Sequence, residues 1–180
     1  NFFYCKVPMM VAGKKYSNSE HLYQAMKFAY FLPTVSGESL NACKELIEEI
    51  RLQGTPYKAK TLASPRGFGR YAWQRTLVKR REDFAARGVL LDQRWDGVKV
   101  DVMEDVLRLK FWSDAACRGV LMGTEDAELV ERTDTDAFWG DRFDGKGQNM
   151  LGKLLMRIRD EWRRDGVPKN TPILRRSSVG

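Results

Sequence analysis

Ser17-Asn18-Ser19-Glu20-His21-Leu22-Tyr23-Gln24-Ala25-Met26-Lys27-Phe28 separates into two chemically different faces when it is built as an α-helix. At 3.6 residues per turn, Glu20, Gln24 and Lys27 fall within one narrow arc. An apolar set falls on the opposite side, where it can pack into a core: Leu22, Ala25, Met26 and Ala29. A carboxylate, an amide and an amine on one wall of a cleft could hold and attack a polar substrate.

The same segment has a purely structural interpretation, which the pattern alone favours. Ser17-x-x-Glu20 has the spacing of a capping box, in which the glutamate closes the first helical turn. Lys27 would then be an ordinary solvated lysine.

The composition is that of a folded globular protein. The chain has 180 residues, enough for one domain, and is 43% hydrophobic and 31% charged. No stretch approaches the length of a membrane span, and the first residues do not resemble a signal peptide. We therefore expect a soluble protein.

The cysteines and the histidine exclude several kinds of site. Cys5, Cys43 and Cys117 lack both the paired spacing of a zinc site and the even count of a disulfide framework. His21 is the only histidine, which argues against a histidine-based triad or metal site. We expect a buried thiol at Cys43, no metal, no cofactor, and an intracellular location in the cytoplasm or the nucleus.

The formal charge of +7 is unevenly distributed. The segment from residue 66 to residue 94 contains eight basic residues and only three acidic ones. Its basic residues are Arg66, Arg70, Arg75, Lys79, Arg80, Arg81, Arg87 and Arg94, interleaved with Phe68, Tyr71, Trp73 and Phe84. Basic residues mixed with aromatic ones suit a nucleotide or nucleic acid, whereas the alternative is a solvated helix whose charges serve solubility.

Hydrophobic periodicity and turn residues predict a mainly α-helical α+β domain with a small β element. One or two short strands precede Gly13, and Ser17 or Ser19 caps a helix that runs to about Phe31. Further helices are predicted at about 38–52, after Pro56, at 71–86, at 96–111 and from Met150 to Trp162, with a short strand at Leu129 and Val130. The domain spans residues 1–165, and the basic tail 166–180 is expected to be loosely held.

A second group of candidate residues lies in the segment from Thr133 to Gly152, which leads into the last helix. Gly140, Gly145 and Gly147 would allow positive φ and close backbone approach, and Trp139 beside them is a candidate wall for a stacked base. The segment is neither a Walker loop nor an EF-hand, because the required spacings are absent. The alternative is a turn-rich loop pinned by two buried aromatic residues.

Three ordered motifs together resemble the NADAR family, whose name refers to NAD and ADP-ribose chemistry. The motifs are Ser19-Glu20-His21-x-Tyr23-Gln24-Ala25-x-Lys27-Phe28; then Trp95-Asp96-x-Val98-Lys99-x-Asp101-Val102-Met103 with Lys110-Phe111; and Asp136-Ala137-Phe138-Trp139-Gly140-Asp141 with Asp144-Gly145-x-Gly147-x-Asn149-Met150-Leu151-Gly152. The resemblance extends from Asn1 to about Trp162. The chain departs from the family between about Ala59 and Leu91, where a longer basic, aromatic stretch replaces a short Gly-Arg-rich one.

The resemblance implies an N-glycosidase, which cleaves a C1′–N bond between a ribose and an amine or base. One branch of the family removes ADP-ribose from guanine in nucleic acid or nucleotides, and another hydrolyses ribosylamine intermediates of riboflavin biosynthesis. The basic, aromatic stretch favours the first branch, with DNA or RNA as a possible partner. A non-catalytic ADP-ribose reader is a third hypothesis, although a reader needs neither Glu20 nor Lys27.

The resemblance also implies roles for individual residues. Glu20, Lys27 and Asp141 are the predicted catalytic residues, with Lys27 either attacking C1′ or acting electrostatically at the diphosphate. An attacking amine must be neutral, so its pKa has to fall from roughly 10.4 toward 7 or 8. The predicted substrate-binding residues are Gln24, Trp95, Asp136, Trp139, Gly140, Gly147 and Asn149. The relative roles of Asp136 and Asp141, and the oligomeric state, stay open.

Overall fold

A computed structural model describes residues 7–64 and 71–175, and these residues form a mainly helical α+β fold with a small two-stranded sheet. In chain order the elements are β1 Met9–Val11, β2 Lys14–Tyr16, α1 Ser19–Ala29, α2 Gly37–Arg51, α3 Pro56–Ala63, α4 Ala72–Ala86, α5 Trp95–Ser113, α6 Ala115–Met122 and α7 Met150–Asp165. The chain divides into two compact units. The first holds the described residues up to Val106 together with Leu174 and Arg175, and the second holds residues 107–173.

The two strands form a tight hairpin. β1 and β2 pair antiparallel, with Met9 opposite Tyr16. The two residues between the strands, Ala12 and Gly13, have φ of 49° and 75°, which matches the right-handed twist of a two-residue hairpin. A turn at Gly13 was predicted and is confirmed, and the part of the prediction that concerns residues 1–6 lies outside the described residues.

Helix α1 begins with a different cap from the predicted one. The side-chain Oδ1 of Asn18 accepts a hydrogen bond from the backbone N–H of His21 at 3.1 Å, so the capping residue is Asn18 and not Ser17 or Ser19. Asparagine caps helices as well as serine does, and sequence alone does not separate three adjacent candidates. Glu20 lies in the first turn, but its carboxylate does not form the predicted capping box with Ser17.

The first unit is built from helices around an apolar core. α1 packs against α2 and α3, and α3 packs against α4. The core is filled by buried side chains that recur at helical spacing, among them Leu22, Phe28, Leu46, Ile50, Leu62 and Phe84. Cys43 lies in this core on α2, as predicted, and burial raises the pKa of its thiol. The helices predicted in this part of the chain are confirmed to within two residues at each end.

The second unit contains one helix that the sequence pattern did not predict. α6 is capped by Asp114, whose carboxylate accepts hydrogen bonds from the backbone N–H groups of Ala116 and Cys117, both at 3.0 Å. The strand predicted at Leu129 and Val130 is wrong, since this segment is a loop. The carbonyl of Leu129 and the N–H of Glu131 bond to the side chain of Asn149, and the N–H of Leu129 donates to the sulfur of Met156, so side chains take the place of a second strand.

The described part of the tail makes specific contacts within each unit. In the second unit, the indole N–H of Trp112 donates to the carbonyl of Pro168 at 3.0 Å. In the first unit, the backbone N–H of Arg175 donates to Asp105 at 2.7 Å, and its guanidinium lies 3.2 Å from Asp101.

No described helix is both long enough and apolar enough to cross a membrane. Across residues 7–64 and 71–175, no group of three acidic, histidine or cysteine side chains could hold a metal ion.

Candidate functional site

The polar face of α1 joins Glu20 to Gln24. The amide Nε2 of Gln24 donates to Oε1 of Glu20 at 2.8 Å, and Gln24 itself is only 3% exposed. Its amide oxygen is buried and accepts no hydrogen bond from any described residue. Gln24 therefore holds the Glu20 carboxylate in place, and Glu20 is free of the capping role that the alternative interpretation gave it.

Lys27 lies one turn further along the same face, where its amine is half-buried. Burial lowers the pKa of this amine to about 8, Glu20 opposes the shift, and the positive charge of Lys60 on α3 adds to it. At pH 7 about one molecule in ten then carries a neutral Lys27 amine, against fewer than one in a thousand for an unperturbed lysine. The pKa thus falls in the range that attack by an amine requires.

Two aromatic rings support the Lys27 side of α1. The Nζ of Lys27 lies 6.0 Å from the ring centroid of Tyr23, and the Tyr23 and Trp95 rings meet at 5.6 Å with an angle of 55° between their planes. Trp95 was predicted to bind substrate, but it is only 5% exposed and packs into the core. The surface that it can offer to a substrate is correspondingly small.

A cleft of about 190 Å³ adjoins the C-terminal end of α1. Its lining combines apolar side chains with a few polar ones, including Lys27, Phe28, Phe31, Cys43, Val89 and Asp92. Asp92 is held by Arg94, whose Nη2 lies 2.8 Å from its carboxylate. Pockets for drug-sized ligands usually measure about 300–1,000 Å³, so this cleft can enclose one ring system of a substrate whose remainder lies outside it.

In the loop of the second unit, Asp136 shapes the backbone of its own turn. Oδ1 of Asp136 accepts hydrogen bonds from the N–H groups of Phe138 and Trp139 at 3.0 and 2.9 Å. The turn presents a half-buried Trp139, whose ring meets that of Phe138 edge-on at 5.0 Å. Asp136 thereby positions Trp139, and sequence alone had left its role open.

Asp141 is also bonded to its own loop. Its Oδ1 accepts from the N–H of Phe143 at 3.0 Å, and Arg132 lies 3.5 Å from its other oxygen. The hydrogen bond from Phe143 is the main cause that lowers the pKa of this carboxyl. Because Asp141 stays ionised at neutral pH, it can accept a proton or a hydrogen bond but is a poor proton donor there.

The glycines of the loop serve close packing more than unusual backbone angles. Only Gly145 of the three predicted glycines has positive φ, at 73°. A side chain on Gly140 would clash with Thr133, and one on Gly147 would clash with the carbonyl of Gly140. Positive φ falls instead on Arg142 and Phe143, both at 60°, and on Asn149, at 47°.

Asn149 uses both ends of its side-chain amide to join two segments of the second unit. Its Nδ2 donates to the carbonyl of Leu129 at 2.8 Å, and its Oδ1 accepts from the N–H of Glu131 at 3.0 Å. The orientation of the side chain is therefore fixed by the backbone of another segment, which gives Asn149 a structural role in the loop.

The predicted site residues thus fall into one group in each unit. Glu20, Gln24 and Lys27 share the α1 face, with Trp95 in the core behind Tyr23. The second unit carries Asp136, Trp139, Gly140, Asp141, Gly147 and Asn149 in one loop. Sequence analysis missed Tyr23 and Lys60 as influences on Lys27. Tyr23 lies inside the first motif, whereas Lys60 acts through the packing of α3 on α1.

The arginines of the basic stretch are largely engaged by the protein itself. Nη2 of Arg80 lies 2.6 Å from a Glu45 oxygen and also pairs with Glu49, and Arg87 pairs with Glu45 at 2.6 Å. Arg81 is buried and donates to the carbonyl of Val89 at 2.8 Å. Arg66, Phe68 and Arg70 lie outside the described residues.

Comparison with known proteins agrees with the fold. A model of the NADAR domain family matches residues 2–163. The chain is 35% identical to N-glycosidase YbiA of Shigella boydii over an alignment of 154 residues. This alignment covers 86% of this chain and 75% of the relative. The chain is 31% identical over 163 residues to a riboflavin biosynthesis protein of Vibrio vulnificus, covering 89% of this chain and 34% of that protein. The solution structure of Escherichia coli YbiA matches with a TM-score of 0.60 and 32% identity, over 91% of this chain and 77% of that one.

These matches define the class of the protein. The family model spans nearly the whole chain, and the relatives named N-glycosidase are aligned over most of their own length. The chain belongs to the NADAR family. Its relatives support an enzyme that hydrolyses N-glycosidic bonds.

Proposed function

We propose that this chain removes ADP-ribose from guanine bases of nucleic acid or nucleotides by hydrolysing the C1′–N bond. The observation that carries the proposal is the Lys27 amine, whose pKa is lowered to about 8 on the same helix face as Glu20. A reader that only binds ADP-ribose has no need of a neutral amine, and a cation would bind a diphosphate better. The relatives named N-glycosidase support the same reaction type.

In the proposed reaction the neutral amine of Lys27 attacks C1′. The bond from C1′ to guanine breaks, its electron pair leaves with the base, and a proton from the Glu20 carboxyl or from water neutralises the departing nitrogen. The ribose ring then opens, with O4′ taking a proton and the lysine nitrogen forming an imine to C1′. Water adds to the imine and releases both ADP-ribose and the amine.

The remaining candidates have supporting roles in this proposal. Gln24 is a positioning residue that orients Glu20 through its 2.8 Å hydrogen bond. Within the second unit, Asp136 fixes the turn that presents Trp139, whose ring is the candidate surface for stacking. Asp141 is the candidate hydrogen-bond acceptor of the same loop, because its pKa is lowered and its carboxylate stays ionised.

The riboflavin branch is the second candidate function. The observation in its favour is the 31% identity to the riboflavin biosynthesis protein of Vibrio vulnificus across 89% of this chain. The small cleft beside Lys27 also suits the single ring of a pyrimidine ribosylamine. Both candidates use the same bond cleavage, so the α1 face does not separate them.

A side-by-side assay separates the two functions. Purified protein is incubated with single-stranded DNA containing ADP-ribosylated guanine, with free ADP-ribosyl guanosine, and with the ribosylamine intermediates of riboflavin biosynthesis. We expect release of ADP-ribose from the first two. Release of ribose phosphate from the third alone would overturn the choice of substrate, and no cleavage of any of the three would overturn the proposed activity.

A further inference from the structure

Three aromatic rings form a cluster on the surface of the first unit, where α3 meets the start of α4. The rings of Tyr71 and Trp73 are stacked, with 6.4 Å between centroids and an angle of 7° between planes. The ring of Tyr57 meets Trp73 edge-on at 5.4 Å. We call Tyr57, Tyr71 and Trp73 the aromatic platform. It lies in the part of the chain that departs from the family pattern, or at its border.

The platform is both exposed and held in place. Tyr57 is 57% exposed and Tyr71 is 56% exposed, so large parts of both rings face solvent. The buried Gln74 holds the ring of Tyr57 and the backbone of Tyr71 in place. Its Nε2 donates to the hydroxyl of Tyr57, and its Oε1 accepts from the backbone N–H of Tyr71, both at 2.9 Å. Exposed aromatic surface that is rigidly supported is typical of a binding site.

Lysines on α3 give the platform a positive border. The Nζ of Lys58 lies 5.8 Å from the ring centroid of Trp73, and Lys60 is exposed one turn from Tyr57. Neither ammonium pairs with a carboxylate among the described residues, in contrast to Arg80 and Arg87 on α4. Aromatic rings next to uncompensated cations are the combination that binds single strands, since bases stack on the rings and phosphates contact the cations.

We propose that the aromatic platform binds a single-stranded polynucleotide, with bases stacked on Tyr71 and Trp73 and with Lys58 and Lys60 at the phosphates. A duplex fits poorly, because its bases are already stacked on one another and offer no free face. The inference deepens the proposed function and rests on it for the identity of the substrate. Lys60 lies on α3, which packs against α1, the helix that carries Lys27.

The test measures binding of a fluorescein-labelled, unmodified oligothymidylate by fluorescence anisotropy at low salt. We expect Tyr71→Ala to weaken binding about ten-fold, because stacking contributes on the order of a ten-fold change in affinity per base. Tyr71→Phe should retain the affinity, since it keeps the ring. Leu52→Ala is the matched control, because Leu52 is an apolar residue of the same unit that is 64% exposed and is not part of the platform.

Salt and strand dependence complete the test. The double variant Lys58→Gln, Lys60→Gln should bind more weakly and lose affinity less steeply as salt rises, because fewer counterions are released. The duplex of the same sequence should bind less tightly than the single strand. Thermal unfolding of each variant confirms that the fold is retained.

Several results would overturn the inference: no binding of the single strand, equal affinity of wild type and Tyr71→Ala, equal losses in Tyr71→Ala and Tyr71→Phe, or tighter binding of the duplex. If the aromatic platform binds another protein instead, wild type and Tyr71→Ala should bind the single strand with equal affinity. The probe carries no ADP-ribose, so this test does not depend on turnover. If the protein binds the strand but cleaves no ADP-ribosylated guanine, the proposed function fails and the polynucleotide surface stands.

Discussion

The α1 face and the loop from Thr133 to Asn149 contain similar polar side chains but use them differently. On α1, Glu20 bonds to a side-chain amide, and Lys27 keeps a half-buried amine whose pKa is lowered. In the loop, Asp136 and Asp141 accept hydrogen bonds from the backbone of their own turns. Groups bonded to the backbone build and fix a loop, whereas the Lys27 amine on α1, with its pKa lowered to about 8, can lose its proton at modest cost. We therefore assign the chemistry to α1 and the presentation of Trp139 to the loop.

Replacement of Lys27 is expected to have the largest effect. Lys27→Met removes the proposed nucleophile, and kcat should fall about 1,000-fold or more. The same change should stabilise the protein at pH 7 by up to about 3 kcal/mol, because the pKa of Lys27 is lowered from 10.5 to about 8 on folding and protonation of the buried amine opposes folding. Urea denaturation and single-turnover assays measure the two effects. Lower stability together with full activity would remove Lys27 from the mechanism.

Glu20→Gln comes next in size. It keeps the shape and a hydrogen bond to Gln24 but removes proton transfer, so kcat should fall roughly 100-fold with ADP-ribose binding largely kept. Steady-state kinetics and calorimetric titration with ADP-ribose separate the two quantities. Gln24→Glu is not a suitable control for this measurement, because it would place a second carboxylate next to that of Glu20. If Glu20→Gln leaves turnover intact, the α1 face does not supply an acid or base.

The pH dependence distinguishes the two roles left open for Lys27. As a nucleophile it must be neutral, so kcat/KM should rise about ten-fold per pH unit below pH 8 and level off above it. As a cation at the diphosphate it must be charged, so kcat/KM should instead fall as the pH passes 8. The pKa of Lys27 is about 8 in the folded state and 10.5 in the unfolded chain. Between these two pH values the unfolded chain binds more protons than the folded one, so the free energy of unfolding should rise with pH there. A profile that falls above pH 8 contradicts the nucleophile role.

The smallest effect on chemistry is expected in the loop. Asn149→Ala leaves the carbonyl of Leu129 and the N–H of Glu131 without their partners, which should reduce the unfolding free energy by about 1–3 kcal/mol. With the enzyme still folded at low temperature, kcat should change by only a few-fold. A loss of kcat comparable with that of Glu20→Gln, at unchanged stability, would show that the loop takes part in catalysis and would remove the contrast with α1.

Helical periodicity predicts the α1 face because Glu20, Gln24 and Lys27 need only local geometry to align. The lowered pKa of Lys27 depends on burial and on Lys60 from another helix, and neither can be obtained from the α1 sequence. The cap at Asn18 was missed because three adjacent residues are all good caps. Helix boundaries in the first unit could be predicted because Pro, Gly and apolar spacing mark them.

The loop shows where sequence analysis is weaker. Aspartates in a glycine-rich segment fit both a ligand site and a set of backbone turns, and only the hydrogen bonds of Asp136 and Asp141 distinguish them. Leu129 and Val130 suggested a strand because apolar and β-branched residues favour one. The partner of that segment is the side chain of Asn149, twenty residues from Leu129, which no strand pattern reveals.

Trapping of the imine with borohydride shows directly whether Lys27 attacks C1′. The protein is incubated with ADP-ribosyl guanosine, reduced with borohydride, digested and analysed by mass spectrometry, with Lys60→Arg as the matched lysine control. We expect a stable ADP-ribose adduct on Lys27 that is absent in Lys27→Met and present in Lys60→Arg. An enzyme that cleaves the substrate fully but leaves no adduct on Lys27, or places it on another lysine, would contradict the claim that Lys27 attacks C1′.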